Sequence, residues 1–265
     1  AFCKDDLLVR GVDFPMGLCY NCIYQKMERD VDMKILIIRH GDPDYDIDSL
    51  TEKGWKEAEH LSLRLCKMPV DDYYCSPLGR ARDTAKPTLN KTGKKIEVLD
   101  WLKEFEGRII SPFTGDERIC WDLPPYLWCK EPKYFEFDNW YKTELFDTGN
   151  AKAIYDRTTD GIDNLLKRYG IERYGMMYKG ESSKEIALVC HFAMGITVLS
   201  YLVGISPVIA QNNFFLAPTS VTTLVTETDS KGYSHFRAVQ IGDISHLYAA
   251  NEPMSESGLY PEFEE

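Results

Sequence analysis

The sequence predicts a three-layer α/β/α sandwich with a mostly parallel central sheet. Three observations carry this. From Met33 onward, short apolar runs alternate with stretches of helical periodicity. Two of the runs, Ile35–Ile38 and Ile186–Cys190, are apolar almost without interruption, as buried parallel strands are. Near the end, the β-rich runs Val221–Thr228 and His235–Ile241 flank Ser230–Gly232, which predicts a hairpin and so some antiparallel strands.

Taken in order, Lys34–Ile38 is the first strand. Thr51–Leu65 places Trp55, Ala58, Leu61 and Leu65 three to four residues apart, an amphipathic helix that Ser49 or Thr51 caps. Tyr73–Cys75 is a short strand. Pro77 suits the first turn of a helix carrying Leu78, Ala81 and Ala85. Ile96–Leu99 is a strand, and Lys152–Tyr169 a helix that Gly170 closes. Glu185–Cys190 is a strand, followed by the helix Phe192–Val203, which Gly204 ends. Between about Glu106 and Asn150 lies an irregular insertion with Trp121, Trp128, Trp140 and four prolines. It reads either as a satellite core or as a wall of the substrate pocket. Residues 1–32 lack both periodicities. They read as an N-terminal extension (a tag or a misplaced start), or alternatively as a lid or dimer arm. Residues 33–265 form the main domain.

The composition narrows the function. The chain has 265 residues, 44% of them hydrophobic, enough for one sizeable core or two modest ones. Its net charge of −11 argues against nucleic acid and anionic membranes as partners. No apolar stretch reaches membrane-spanning length, and the first residues carry no secretory pattern, so a cytoplasmic location is expected. Cys19 and Cys22 make one Cys-x-x-Cys without a second pair at similar spacing, so no metal site is expected. The oligomeric state is left open.

In open α/β folds, ligands lie beyond the carboxyl ends of the strands. The first strand ends on Arg39-His40-Gly41, and Ile186–Cys190 ends on His191. Tyr73–Cys75 leads to Ser76-Pro77-Leu78-Gly79-Arg80, and Ile96–Leu99 to Leu102-Lys103-Glu104. One rim thus collects two histidines, two arginines and a carboxylate, a set suited to a phosphate. Neutral imidazole is a nucleophile. Arg39 and Arg80 fork onto phosphate oxygens and keep a neighbouring histidine unprotonated. His191 donates to the same oxygens, and Glu104 protonates the leaving oxygen. Gly41 removes a Cβ from the ligand's path. Two rivals stand beside these: Arg82 for Arg80, and Glu106 for Glu104. Asp42, Asp44, Asp46 and Asp48 alternate but lack the glycine and final glutamate of a calcium loop. His235 and His246 read as structural.

Five pieces in order resemble the histidine phosphatase superfamily (phosphoglycerate mutase-like). They are Arg39-His40-Gly41 with Leu50-Thr51-x-x-Gly54, then SPLGRARDTA over 76–85, LKE over 102–104, ALVCH over 187–191, and IGDISHL over 241–247. The resemblance implies a phosphatase acting on a small phosphorylated substrate through a phosphohistidine on His40, with Glu104 as acid and base and no cofactor. A mutase sharing that core, or a catalytically silent phospho-ligand binder, is the alternative. Two departures stand out. Many members have an Asn after the Arg-His-Gly, where this chain has the acidic segment DPDYDID. Many have Gly after the second histidine, where this chain has Phe192.

Overall fold

The computed structural model describes residues 33–121 and 123–259, and the readings made for residues 1–32, including Cys19 and Cys22, lie outside them. In chain order the strands are β1 Lys34–Arg39, β2 Pro43–Asp44, β3 Ser49–Leu50, β4 Asp72–Cys75, β5 Ile96–Val98, β6 Arg108–Ile110, β7 Glu117–Ile119, β8 Glu172–Tyr174, β9 Met177–Lys179, β10 Glu185–Cys190, β11 Val221–Thr228 and β12 Tyr233–Asp243. The helices are α1 Glu52–Leu65, α2 Gly79–Thr92, α3 Pro125–Trp128, α4 Glu144–Asp147, α5 Ala151–Lys167, α6 Phe192–Val203, α7 Pro207–Asn213 and α8 Ser245–Ala249.

Eight strands make the central sheet in the order β5-β4-β10-β1-β11-β12-β9-β8. The block β5-β4-β10-β1 is parallel. From β11 outward the pairing is antiparallel, so the sheet is mixed. Helices cover both faces. The alternation along β1 explains how. Ile35 and Ile37 enter one core with Ile162 and Leu165 of α5 and Met194 and Val198 of α6. Leu36 and Ile38 enter the other, with Leu61 and Leu65 of α1 and Ala81 and Ala85 of α2. Each of these four β1 side chains is buried, and each contributes about 1.5–3 kcal/mol on transfer from water. A strand apolar on both faces therefore has to be central.

Several local expectations are met. Thr51 caps α1, its hydroxyl accepting from Gly54 N–H. α6 ends at Gly204, whose φ of 73° is left-handed. β11 and β12 form a hairpin across Asp229–Tyr233. α2 begins later than expected: Leu78 is its N-cap and Pro77 lies outside the first turn. The restricted backbone of Pro77 instead carries the chain out of β4 before the helix turns. The insertion is no satellite core. Tyr134, Trp140 and Phe146 belong to the same core as α5 and α6. Trp140 stacks edge-on against Phe146 at 5.0 Å and Tyr155 at 5.2 Å between centroids.

Candidate active site

Three strand ends build the site. His40 N–H donates to Cys190 O at 2.9 Å, and Ser76 N–H to Val189 O at 2.9 Å. These bonds fix the residues just past β1, β10 and β4 side by side. Thr219, at a left-handed φ of 58°, donates its N–H to the carbonyls of Arg39 and His40. Gly41 N–H donates to Thr84 Oγ1 of α2, which itself donates to Arg80 O. The loop after β1 is thereby held by the helix that presents Arg80.

His40 is 2% exposed. Its Nδ1 lies 2.7 Å from Gly41 O. A carbonyl only accepts, so Nδ1 carries the proton and Nε2 keeps a free lone pair. Burial, then the charge of Arg39, pushes the imidazole down to about 3, so it stays neutral. The His191 ring stands edge-on to it, with centroids 5.1 Å apart. His191 is fully buried, and its Nε2 lies 2.7 Å from Ser76 Oγ. Burial, then His40, Arg80 and Arg39, holds its pKa well below the ordinary value.

Arg39 is buried and spends one terminal nitrogen on two backbone carbonyls, Leu216 O at 2.7 Å and Ser257 O at 2.9 Å. Phe192 and Phe215 flank its guanidinium at 5.2 and 5.9 Å. Arg80 pairs with Asp48 at 2.6 Å and lies 5.3 Å from the Tyr45 ring. Three nitrogens here are buried and have no partner among the described residues: Arg39 Nε, Arg80 Nε and His191 Nδ1. Each such group costs about 1–3 kcal/mol if left unsatisfied.

Glu104 sits at the start of α6. Its Oε1 accepts from Met194 N–H at 2.9 Å and Phe105 N–H at 2.8 Å. Burial raises its pKa, and those two N–H groups, Arg39 and Arg80 oppose the rise. Glu104 and His191 are therefore fixed by one helix start, since His191 is its N-cap. Glu106, the rival, is exposed and absent from this cluster. Arg82 is also exposed, whereas Arg80 acts electrostatically on His40, His191 and Glu104. A Cβ on Gly41 would meet Gly54 O at 2.9 Å, so the room it makes is room for α1. The alternating aspartates are occupied too. Asp42 accepts from Thr51 and Ser255, and Asp48 from Gly79 N–H and Arg80.

The superposed geometry has known counterparts. Residues 35–238 match the histidine phosphatase superfamily (branch 1). The chain belongs to that superfamily. A 2,3-bisphosphoglycerate-dependent phosphoglycerate mutase from Thermoplasma acidophilum is 35% identical over 99 residues, covering 31% of this chain and 50% of the mutase. The chain thus spans half of that relative's length. A probable phosphatase from Schizosaccharomyces pombe is 25% identical over 187 residues, 62% of this chain and 85% of the relative. Among solved structures, a mycobacterial glucosyl-3-phosphoglycerate phosphatase superposes with a TM-score of 0.54 at 18% identity, covering 80% of this chain and 99% of its own. A phosphoserine phosphatase from Entamoeba histolytica gives 0.53 at 22% identity, covering 81% and 99%. These superpositions establish the superfamily's fold for the chain.

Several contributors escaped the sequence reading. Ser76 lay inside a quoted motif without a role, yet it meets His191. Leu216 and Ser257 contribute only carbonyls to Arg39, which no side-chain pattern signals. Glu57 is fully buried behind the loop, its Oε2 accepting from Asp42 N–H at 2.9 Å. The spacing of α1 does place it one residue before Ala58, on the inward face.

Proposed function

We propose that the chain hydrolyses phosphate monoesters through a phosphohistidine on His40. The observation that supports this most is the set of three unpartnered buried nitrogens around an imidazole whose Nε2 is bare. A phosphoryl group supplies acceptor oxygens for Arg39, Arg80 and His191, and an electrophilic phosphorus for His40.

In the first step His40 Nε2 attacks phosphorus. The N–P bond forms, the bond from phosphorus to the ester oxygen breaks, and Glu104 gives that oxygen its proton. In the second, Glu104 as carboxylate takes a proton from water, whose oxygen attacks phosphorus. The N–P bond breaks, and inorganic phosphate leaves. His191 and the two arginines meet charge that grows on the transferring group. The partial identity to a phosphoglycerate mutase keeps phosphotransfer as the second reading.

The experiment is a panel of 4-nitrophenyl phosphate, phosphoserine and phosphoglycerates, with intact protein and with His40→Ala. Release of inorganic phosphate, reduced by about a thousandfold or more in the variant, is the expected result. Activity that survives in His40→Ala overturns the nucleophile. Isomerisation of a phosphoglycerate, dependent on a bisphosphate primer and without phosphate release, establishes the mutase instead. Phosphate binding with no turnover of any ester establishes a silent binder.

A further inference from the structure

The two arginines of the site are each paired with aromatic rings, and one of those rings is open to solvent. Tyr45 lies 5.3 Å from the Arg80 guanidinium, yet it remains 66% exposed. It also acts electrostatically on Arg39. Tyr45 therefore borders the Arg80 side of the candidate phosphate position. Ile47, in the same loop, is 69% exposed. Phe192 and Phe215, both half-buried, flank Arg39. Solvent-exposed apolar groups of this size, gathered at a charged site, have a use for contact area.

The charges around them point the same way. Asp44 and Asp46 are the chain neighbours of Tyr45, and Asp48 accepts from Arg80. The cations that act on His191 are Arg80 and Arg39. Lys53, near the loop, donates to Pro253 O and pairs with Glu252. A phosphoryl dianion uses both arginines. The loop that carries Tyr45 thus adds negative charge beside the two arginines and no further cation.

We propose that the site selects phosphate monoesters whose leaving group is an uncharged ring, with Tyr45 as the ring's contact. This rests on the reading of His40, Arg39 and Arg80 as the phosphate site. The ring packs against the open side of Tyr45 and against Ile47, while the phosphoryl oxygens lie with the arginines. Esters bearing a carboxylate beside the phosphate, as in phosphoglycerate, are disfavoured by the acidic loop. Phe192 and Phe215 serve the same end indirectly, by fixing the plane of Arg39.

Binding of non-hydrolysable phosphonates isolates recognition from leaving-group chemistry. Intact protein is titrated calorimetrically with inorganic phosphate, methylphosphonate, phenylphosphonate and phosphonoacetate. Phenylphosphonate is expected to bind roughly five- to tenfold tighter than methylphosphonate, the size of a ring contact beside a cation. Phosphonoacetate is expected to bind weaker than methylphosphonate. Tyr45→Ala brings the phenyl-to-methyl ratio to within about twofold of unity, and Tyr45→Phe keeps it. Tyr248→Ala, which removes a ring that is 88% exposed on α8, also keeps it. Equal binding of the phenyl and methyl compounds overturns the proposal, as does a ratio that survives in Tyr45→Ala. Failure of all four ligands to bind overturns the phosphate site itself, and the inference with it.

Discussion

The imidazoles of His40 and His191 stand edge-on with centroids 5.1 Å apart, although their residues are separated by most of the domain. The parallel register of β1 on β10, with Arg39 opposite Cys190, brings them together. Burial and the neighbouring arginines disfavour the imidazolium form of either ring, so each keeps a single ring proton and both stay neutral. That is the charge state the proposed attack by His40 requires.

Glu104 is tested by the leaving group. Glu104→Gln keeps an acceptor for Met194 N–H and Phe105 N–H but removes the transferable proton. We expect turnover of an alkyl ester such as phosphoserine to fall about 100-fold or more, and that of 4-nitrophenyl phosphate to fall much less. Equal losses on both substrates, in steady-state kinetics, would contradict the acid role.

The pH profile follows from opposite shifts. His40 must be unprotonated, and its pKa is pushed down to about 3, so the acid limb lies far below neutrality. Glu104 must carry a proton for the first step, and its pKa is raised above the ordinary carboxylate value. The rate of phosphoenzyme formation should fall as pH rises through that raised value. In Glu104→Gln this alkaline limb should vanish. A limb that persists in single-turnover measurements assigns it to another group.

Glu57 couples stability to pH. Burial raises its pKa to about 7, against an ordinary 4.5. The native state holds its proton where the unfolded chain has released it. Its contribution is thus complete below about pH 4.5 and is lost as pH rises through 7, on the order of 3 kcal/mol. Glu57→Gln should flatten this part of the curve of Tm against pH between 5 and 8. Parallel curves for the two proteins would show that Glu57 does not titrate in this way.

Gly54→Ala sets two effects against each other. Within a helix, Ala is favoured over Gly by about 1 kcal/mol. Here the new Cβ would lie 2.2 Å from Asp42 O, a backbone atom in the loop after β1. Overpacking of this kind costs about 1–3 kcal/mol or more, so the steric effect should win. Urea denaturation should show a lower midpoint, with activity falling alongside it. A stabilised variant would mean that the α1 contact yields freely.

The sequence carried the strands and their chemistry unevenly. β1 and β10 were legible because residues buried on two faces leave an unbroken apolar run. His40, His191 and Arg80 were legible because each follows such a strand or opens the next helix. The sequence does not separate Glu104 from Glu106, because only packing at the start of α6 buries one of them, with Glu104 Oε1 accepting from Met194 N–H. The α7 helix and the β8–β9 hairpin are short and lack a strong period, and they were missed. Trp140 and Tyr134 gave no periodic signal either, so their place in the main core emerged only from packing, Trp140 against Tyr155 and Tyr134 against Phe146. The carbonyls of Leu216 and Ser257 were invisible in principle, because every residue has one.

Arg39 and the Ser257 carbonyl that it meets are 218 residues apart. A ribosome therefore releases the Arg-His-Gly segment long before it adds the residue that completes the arginine's surroundings. Until residue 257 clears the exit tunnel, the Arg39 guanidinium of the nascent chain lacks one of its two carbonyl partners. The arginine's surroundings are complete only once that distant carbonyl has folded back onto it.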